Sequence, residues 1–97
     1  MEINRNNALR LWNEQFGLIP FAKDFHGNVM HRDAYGEEKF IFNQWGERIC
    51  CGWSIHHILP LTRGGTSEKC NLICTNIITN KEAEDKITYW IDIVFIK

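Results

Sequence analysis

The sequence contains no long hydrophobic run and no strong excess of one charge. No stretch of about 18 or more apolar residues occurs, so no membrane-spanning helix is predicted. The chain has eleven Lys and Arg residues and twelve Asp and Glu residues, which gives a formal net charge of −1. Overall charge therefore does not indicate a polyanionic partner. Any such partner would have to be held by a local basic cluster or by a metal ion.

No secretory signal is predicted, because residues 1–12 have neither an apolar core nor a small-residue cleavage site. We therefore expect a cytoplasmic protein. Apolar residues make up 44% of the chain and aromatic residues 12%, which argues against disorder. With 97 residues in total, the sequence predicts one folded domain over residues 1–97.

The four cysteines do not form regular zinc knuckles. Cys50 and Cys51 are adjacent, and Cys70 and Cys74 form a C-x-x-x-C pair, whereas structural zinc sites commonly use paired C-x-x-C spacings. We interpret them as reduced thiols. A structural zinc site that uses these cysteines is the alternative.

The order of the predicted elements indicates an α+β fold. Leu9, Trp12 and Phe16 recur at helical spacing within residues 4–16, and Gly17 is expected to end that helix. Glycines interrupt residues 20–52, which predicts irregular turns and short strands. Strands are predicted over 53–59 and 72–74, joined by a glycine-containing loop over 61–70. Thr79 and Glu82 fit a capping box, which predicts a helix from about residue 80 into the low nineties.

Polar residues with potential chemistry concentrate between positions 53 and 84. His56 and His57 lie on a predicted strand, so their side chains should point to opposite faces. Asn80 and Glu84 are four residues apart on the predicted helix and therefore share a face. A strand histidine packed against that face would complete a small set of nitrogen and oxygen ligands for a divalent ion.

The segment contains, in order, His56-His57, Pro60, Gly64-Gly65, Asn71-Leu72 and Asn80. Asn71 follows His57 by fourteen positions, and Asn80 follows Asn71 by nine. In these residues and spacings the segment resembles the core of the HNH (His-Me finger) nucleases, of the small bacterial and phage type. The resemblance implies a ββα-metal core over about residues 53–90, preceded by the N-terminal helix and the irregular β region.

The resemblance also implies a role for each site residue. His57 would be the general base, and Asn71 would brace the hairpin and hold the His57 ring through hydrogen bonds. His56 and Asn80 would bind a divalent ion, with Mg²⁺ expected and Zn²⁺, Mn²⁺ or Ni²⁺ as alternatives. Glu84 occupies the position of a further metal ligand in colicin-type DNases, and it supplies the one formal negative charge of this set.

The expected activity is hydrolysis of phosphodiester bonds in DNA. Arg63 and Lys81 are candidates for binding phosphate, and so short a chain leaves little surface for reading bases in a groove. Cleavage is therefore expected to be non-specific unless a targeting protein directs it. An inhibitor or immunity protein is a further candidate partner, because the same chemistry would suit a toxin.

A structural interpretation of the same residues stays open. The two histidines could be an ordinary strand pair, Asn71 could form a turn, Asn80 could begin a capped helix and Glu84 could be a solvated charge. The chain would then be a non-catalytic module that binds nucleic acid or protein and is stabilised by zinc. The joint spacing of these residues favours the active site.

Overall fold

The computed structural model describes residues 1–44 and 46–83, and these form an α+β fold. Three two-stranded antiparallel sheets follow an N-terminal helix. No helix within the described ranges is long and apolar enough to cross a membrane. The elements are α1 (Arg5–Phe16), β1 (Phe21–Lys23), β2 (Val29–His31), β3 (Ile41–Gln44), β4 (Glu47–Cys50), β5 (Trp53–His57), β6 (Leu72–Asn76) and α2 (Ile77–Ala83).

Helix α1 begins and ends at the residues its sequence indicates. The Asn4 side chain accepts a hydrogen bond from the backbone N–H of Asn7 at 2.9 Å, which satisfies a free amide of the first turn. At the other end Gly17 takes a positive φ of 79°, and its N–H donates to the carbonyl of Asn13. The helix predicted over residues 4–16 is therefore confirmed.

Two tryptophans lie at the centre of the core. Trp12 on α1 and Trp53 on β5 are fully buried, with ring centroids 5.0 Å apart. Each indole N–H donates to a backbone carbonyl, Trp12 to Ile19 and Trp53 to Arg32, so neither ring leaves a buried donor unpaired. The other buried members of this cluster are Ala8, Leu11, Met30, Ala34, Ile55, Leu72 and Cys74.

The hairpin of β5 and β6 lies where the sequence predicts two strands, with shifted bounds. Trp53 pairs with Asn76 at one end and His57 with Leu72 at the other. The first strand ends two residues earlier than predicted because the backbone of Leu59 bonds to the side chain of Asn71 instead of a strand partner. The second strand continues two residues further than predicted, to the start of α2.

A glutamine on α1 covers the free edge of β6. The Gln15 amide donates to the carbonyl of Leu72 and accepts from the N–H of Cys74, both at 3.2 Å. One side chain thereby satisfies backbone groups that an edge strand would otherwise expose. This contact attaches the hairpin to the N-terminal helix.

The predicted capping box at the start of α2 is wrong. The helix begins three residues earlier, and the side chain of Asn76 accepts the hydrogen bond from the N–H of Ile78 at 2.9 Å. Thr79 is buried inside the first turn, where its hydroxyl accepts from the Asn28 amide at 2.6 Å. The hydroxyl is therefore engaged by a distant loop, and Asn80 also lies within the helix. The predicted extension into the low nineties falls outside the described residues.

Asn76 connects α2 to the two preceding hairpins. Its side-chain amide donates to the carbonyls of Val29 on β2 and Cys50 on β4, both at 2.8 Å. Its backbone N–H donates to the carboxylate of Asp24 at 3.0 Å. The residue is 1% exposed, so water cannot replace these partners.

We expect Asn76→Ala to lower the free energy of unfolding by about 3 kcal/mol, because two buried carbonyls lose their donor and α2 loses its cap. Urea denaturation measures the change. Asn6→Ala, on the exposed face of α1, is the matched control and should change stability by less than about 0.5 kcal/mol. Equal stability of the two variants would contradict this role for Asn76.

Candidate active site

The two histidines of β5 contact different elements. His56 is 3% exposed, and its Nδ1 lies 2.8 Å from Oδ1 of Asn80 on α2. His57 is half-buried, and its Nε2 lies 3.0 Å from Oγ of Ser67 in the loop between the strands. The two adjacent rings therefore have different hydrogen-bond partners, one on the helix and the other in the loop.

Both rings nevertheless line one cleft. Its volume is about 260 Å³, and it lies between the end of β5, the first turn of the following loop and α2. The two rings therefore share one cleft although their hydrogen-bond partners lie on different elements. The remaining lining residues are Ile55, Pro60, Leu61, Thr62 and Asn80.

Hydrogen bonds around Asn80 determine which nitrogen of His56 carries the proton. The Asn80 amide nitrogen donates to Oγ of Ser54 at 2.7 Å, so its carbonyl oxygen is the atom that faces His56. An amide oxygen can only accept, and Nδ1 of His56 therefore donates. The lone pair of the neutral ring is then on Nε2, which is buried and has no hydrogen-bond partner among the described residues.

This unpartnered nitrogen fits a metal ligand. Histidines that bind metal ions commonly donate their other ring N–H to a carbonyl or carboxylate, which fixes the tautomer and the ring orientation. His56 already has that arrangement, with Asn80 as the acceptor. A buried lone pair without a partner is also costly unless something binds to it.

The surroundings of the two rings favour their neutral forms. Burial lowers the pKa of His56 below its ordinary value, and the hydrogen bond to Asn80 opposes that shift. Burial also lowers the pKa of His57, and the adjacent positive charge that His56 would carry lowers it further. A neutral imidazole is the form that can bind a metal ion or accept a proton.

Asn71 braces the hairpin but does not hold the His57 ring directly, which corrects the expectation from the sequence. Its side chain accepts from the N–H of Leu59 at 2.7 Å and donates to the carbonyls of Leu59 at 2.9 Å and Thr66 at 2.7 Å. All three hydrogen bonds join the Asn71 side chain to backbone atoms of the loop, and none joins it to His57. Asn71 is 8% exposed, so it closes the base of the loop from inside.

The two glycines of the loop permit its tight path. Gly64 has a φ of 92°, in the left-handed region that side chains disfavour. Gly65 passes so close to the carbonyl of Leu59 that a β-carbon would collide with it. The Gly-Gly signal in the sequence therefore reflects backbone geometry that brings the loop back toward the histidines.

Two further predicted residues, Arg63 and Lys81, do not line the cleft. Arg63 is exposed at the end of a 3₁₀ turn and does not line the cleft. Lys81, also exposed, lies beside Asn80 in an adjoining hollow, with its Nζ 3.3 Å from the Glu38 carboxylate. Glu84 lies outside the described residues.

Two serines of the site were missed by the sequence analysis. Ser54 lies two residues before His56 on the same strand face, so strand alternation could have indicated it. Ser67 lies in an irregular loop, ten positions after His57, where no periodicity places a side chain. Only the folded loop brings its hydroxyl to the ring.

The cysteines are free thiols in the structure. Cys51 and Cys74 are buried, Cys50 is half-buried and Cys70 is exposed. Within residues 1–44 and 46–83, no three His, Cys, Asp or Glu side chains are grouped so as to hold a metal ion.

Comparisons with known proteins supply no relative for this chain. No family model, no curated protein and no solved structure matches it significantly. Its function is therefore inferred from the hairpin, the helix and the cleft between them.

We expect Cys70 to react with a thiol reagent in the native protein and Cys74 to react only after unfolding. Burial raises the pKa of Cys74 to about 12, so this residue is a protonated and inaccessible thiol at neutral pH. Alkylation with iodoacetamide, followed by peptide mass spectrometry with and without urea, measures the difference. Equal labelling of the two cysteines in the native state would contradict the buried position of Cys74.

We expect the metal-free protein to lose stability as the pH falls from about 7.5 to about 5.5. The folded pKa values of His56 and His57 lie below the ordinary value, so the unfolded chain takes up protons first. The stability that the neutral rings provide is complete above the unfolded pKa of about 6.5 and is lost as the pH falls through the folded values.

Urea denaturation in EDTA at the two pH values measures this loss. The double variant His56→Gln with His57→Gln should lose less stability over the same range, because its amides do not titrate. An identical loss in the wild type and the double variant would exclude the histidines as its source.

Proposed function

We propose that the protein is a metal-dependent endonuclease of the HNH type that hydrolyses phosphodiester bonds of DNA. The observation that carries the proposal is the arrangement of β5, β6 and α2. It joins His56 to Asn80, leaves the buried Nε2 of His56 unpartnered, and sets His57 in the same cleft. Two antiparallel strands followed directly by a helix are what the resemblance to this family implies.

His56 would hold the ion through Nε2, with Glu84 as a further proposed ligand. Asn80, the other predicted ligand, presents its oxygen to Nδ1, on the opposite side of the ring from Nε2. In this arrangement Asn80 would orient His56, and it would reach the same ion only by giving up that hydrogen bond. A bound Mg²⁺ would stabilise the negative charge that builds on the phosphate, and an imidazole ligand is also compatible with Zn²⁺, Mn²⁺ or Ni²⁺.

His57 would act as the general base. The neutral ring would take a proton from the attacking water as the water oxygen bonds to phosphorus and the bond to the 3′ oxygen breaks. The departing 3′ oxygen would take up a proton from solvent, so the products would be a 5′-phosphate and a 3′-hydroxyl. The lowered pKa of His57 supports this role, because the ring stays unprotonated at neutral pH.

Lys81 and Arg63 would bind the DNA backbone near the cleft. The ion pair of Lys81 with Glu38 joins side chains that are 67% and 62% exposed, and such surface pairs contribute little to stability. A phosphate can therefore take the place of Glu38 at small cost. Arg63 would contact phosphate from the loop that follows the histidines.

A targeting or inhibitor protein is a further proposed partner, and no described contact bears on it.

We expect the wild-type protein to nick supercoiled plasmid in the presence of a divalent ion and not in EDTA. His57→Ala should lower the rate about 100-fold or more, because the water loses its proton acceptor. The assay compares Mg²⁺, Mn²⁺, Zn²⁺ and Ni²⁺ and follows the conversion of supercoiled to open-circular DNA on a gel.

His26→Ala is the matched control, since His26 is exposed and does not line the cleft. It should leave the rate unchanged. Cleavage that persists in EDTA, or that His57→Ala retains, would overturn the proposal. Absence of cleavage with all four ions would also count against it.

A further inference from the structure

We propose that Ser67 is the positioning residue of His57 and determines which ring nitrogen acts as the base. The inference rests on the proposed function and on the 3.0 Å distance between Oγ of Ser67 and Nε2 of His57. Neither the spacing of the motif nor the resemblance assigns this serine a role.

The position of the hydroxyl selects the reactive nitrogen. A water molecule cannot deliver its proton to Nε2 while Ser67 occupies that position. The base is therefore Nδ1, and the neutral ring carries its hydrogen on Nε2, where it donates to the serine oxygen. When Nδ1 takes the proton, the resulting imidazolium keeps this hydrogen bond, which is stronger when the donor is charged.

Asn71 holds the loop segment that carries Ser67. Its amide donates to the carbonyl of Thr66, the residue immediately before Ser67, at 2.7 Å. The same side chain is anchored by the N–H and carbonyl of Leu59, which lies two residues after His57. Asn71 therefore acts on the base indirectly, by fixing the loop from which Ser67 reaches the ring.

The hydrogen bond to Ser67 restrains the orientation of the His57 ring in the cleft. His57 is half-buried at the end of β5, and within residues 1–44 and 46–83 Ser67 is the side chain that hydrogen-bonds to its ring. A ring without that bond can rotate and exchange tautomers, so only part of the population keeps an unprotonated Nδ1 as the base. The loss should appear in the chemical step and leave DNA binding largely intact.

The kinetic test compares Ser67→Ala with Ser67→Thr, which restores a hydroxyl. We expect Ser67→Ala to lower the cleavage rate at saturating DNA about tenfold with KM changed less than about twofold, and Ser67→Thr to recover most of the rate. Thr66→Ala is the matched control, because it removes a neighbouring hydroxyl but keeps the carbonyl that Asn71 binds. Circular dichroism checks that each variant is folded.

An NMR measurement tests the contact without cleavage. Long-range ¹H–¹⁵N spectra of the metal-free protein above pH 7.5 should show the His57 hydrogen on Nε2 in the wild type and in Ser67→Thr. Ser67→Ala should show a mixture of tautomers. A wild-type ring with its hydrogen on Nδ1, or a Ser67→Ala ring identical to the wild type, would overturn the inference.

The two proposals can fail separately. If the wild type does not cleave DNA, the proposed function fails, and the tautomer spectra still decide whether Ser67 orients the ring. If the wild type cleaves and Ser67→Ala cleaves equally well, the endonuclease stands and the positioning role is wrong.

Discussion

The position of α2 relative to the β5–β6 hairpin depends on the buried side chain of Asn76. Asn76 is the last residue of β6. Its side chain caps α2 and donates to the carbonyls of two other hairpins, so moving it would leave buried polar groups unpaired. Because the helix starts with no linker after the strand, Asn80 comes one turn later and faces back toward β5. The contact between His56 and Asn80 is a consequence of how Asn76 joins these elements.

The buried side chain of Asn71 has a similar structural role at the start of β6. Asn71 precedes the strand and satisfies both the N–H and the carbonyl of Leu59, which allows β5 to leave the ladder at a fixed point. The loop that begins there returns to the hairpin through Gly64 and Gly65, and it carries Ser67 to His57. The two asparagines thus fix opposite walls of one cleft, with the helix on one side and the loop on the other.

Sequence patterns predict the features of this fold that depend on local chemistry. The helix over residues 4–16 and the two strands of the last hairpin follow from periodicity and alternation. The start of α2 does not, because Thr79 and Asn76 are both good caps and the sequence cannot show that Asn28 engages the threonine hydroxyl. Contacts across an irregular loop, such as the one made by Ser67, have no periodic signal at all.

The electrostatic character of the cleft constrains how it could work. Among the described residues that line it, His56, His57 and Asn80 are neutral donors or acceptors, and none is a carboxylate. Burial lowers the pKa of both histidines, and the adjacent His56 lowers that of His57 further, so both rings favour the neutral form. Under the proposed function, negative charge for binding a divalent ion must come from Glu84 or from the DNA phosphate itself. A site built from neutral groups would bind the ion more firmly with its substrate than without it, because the phosphate supplies charge that the described side chains lack.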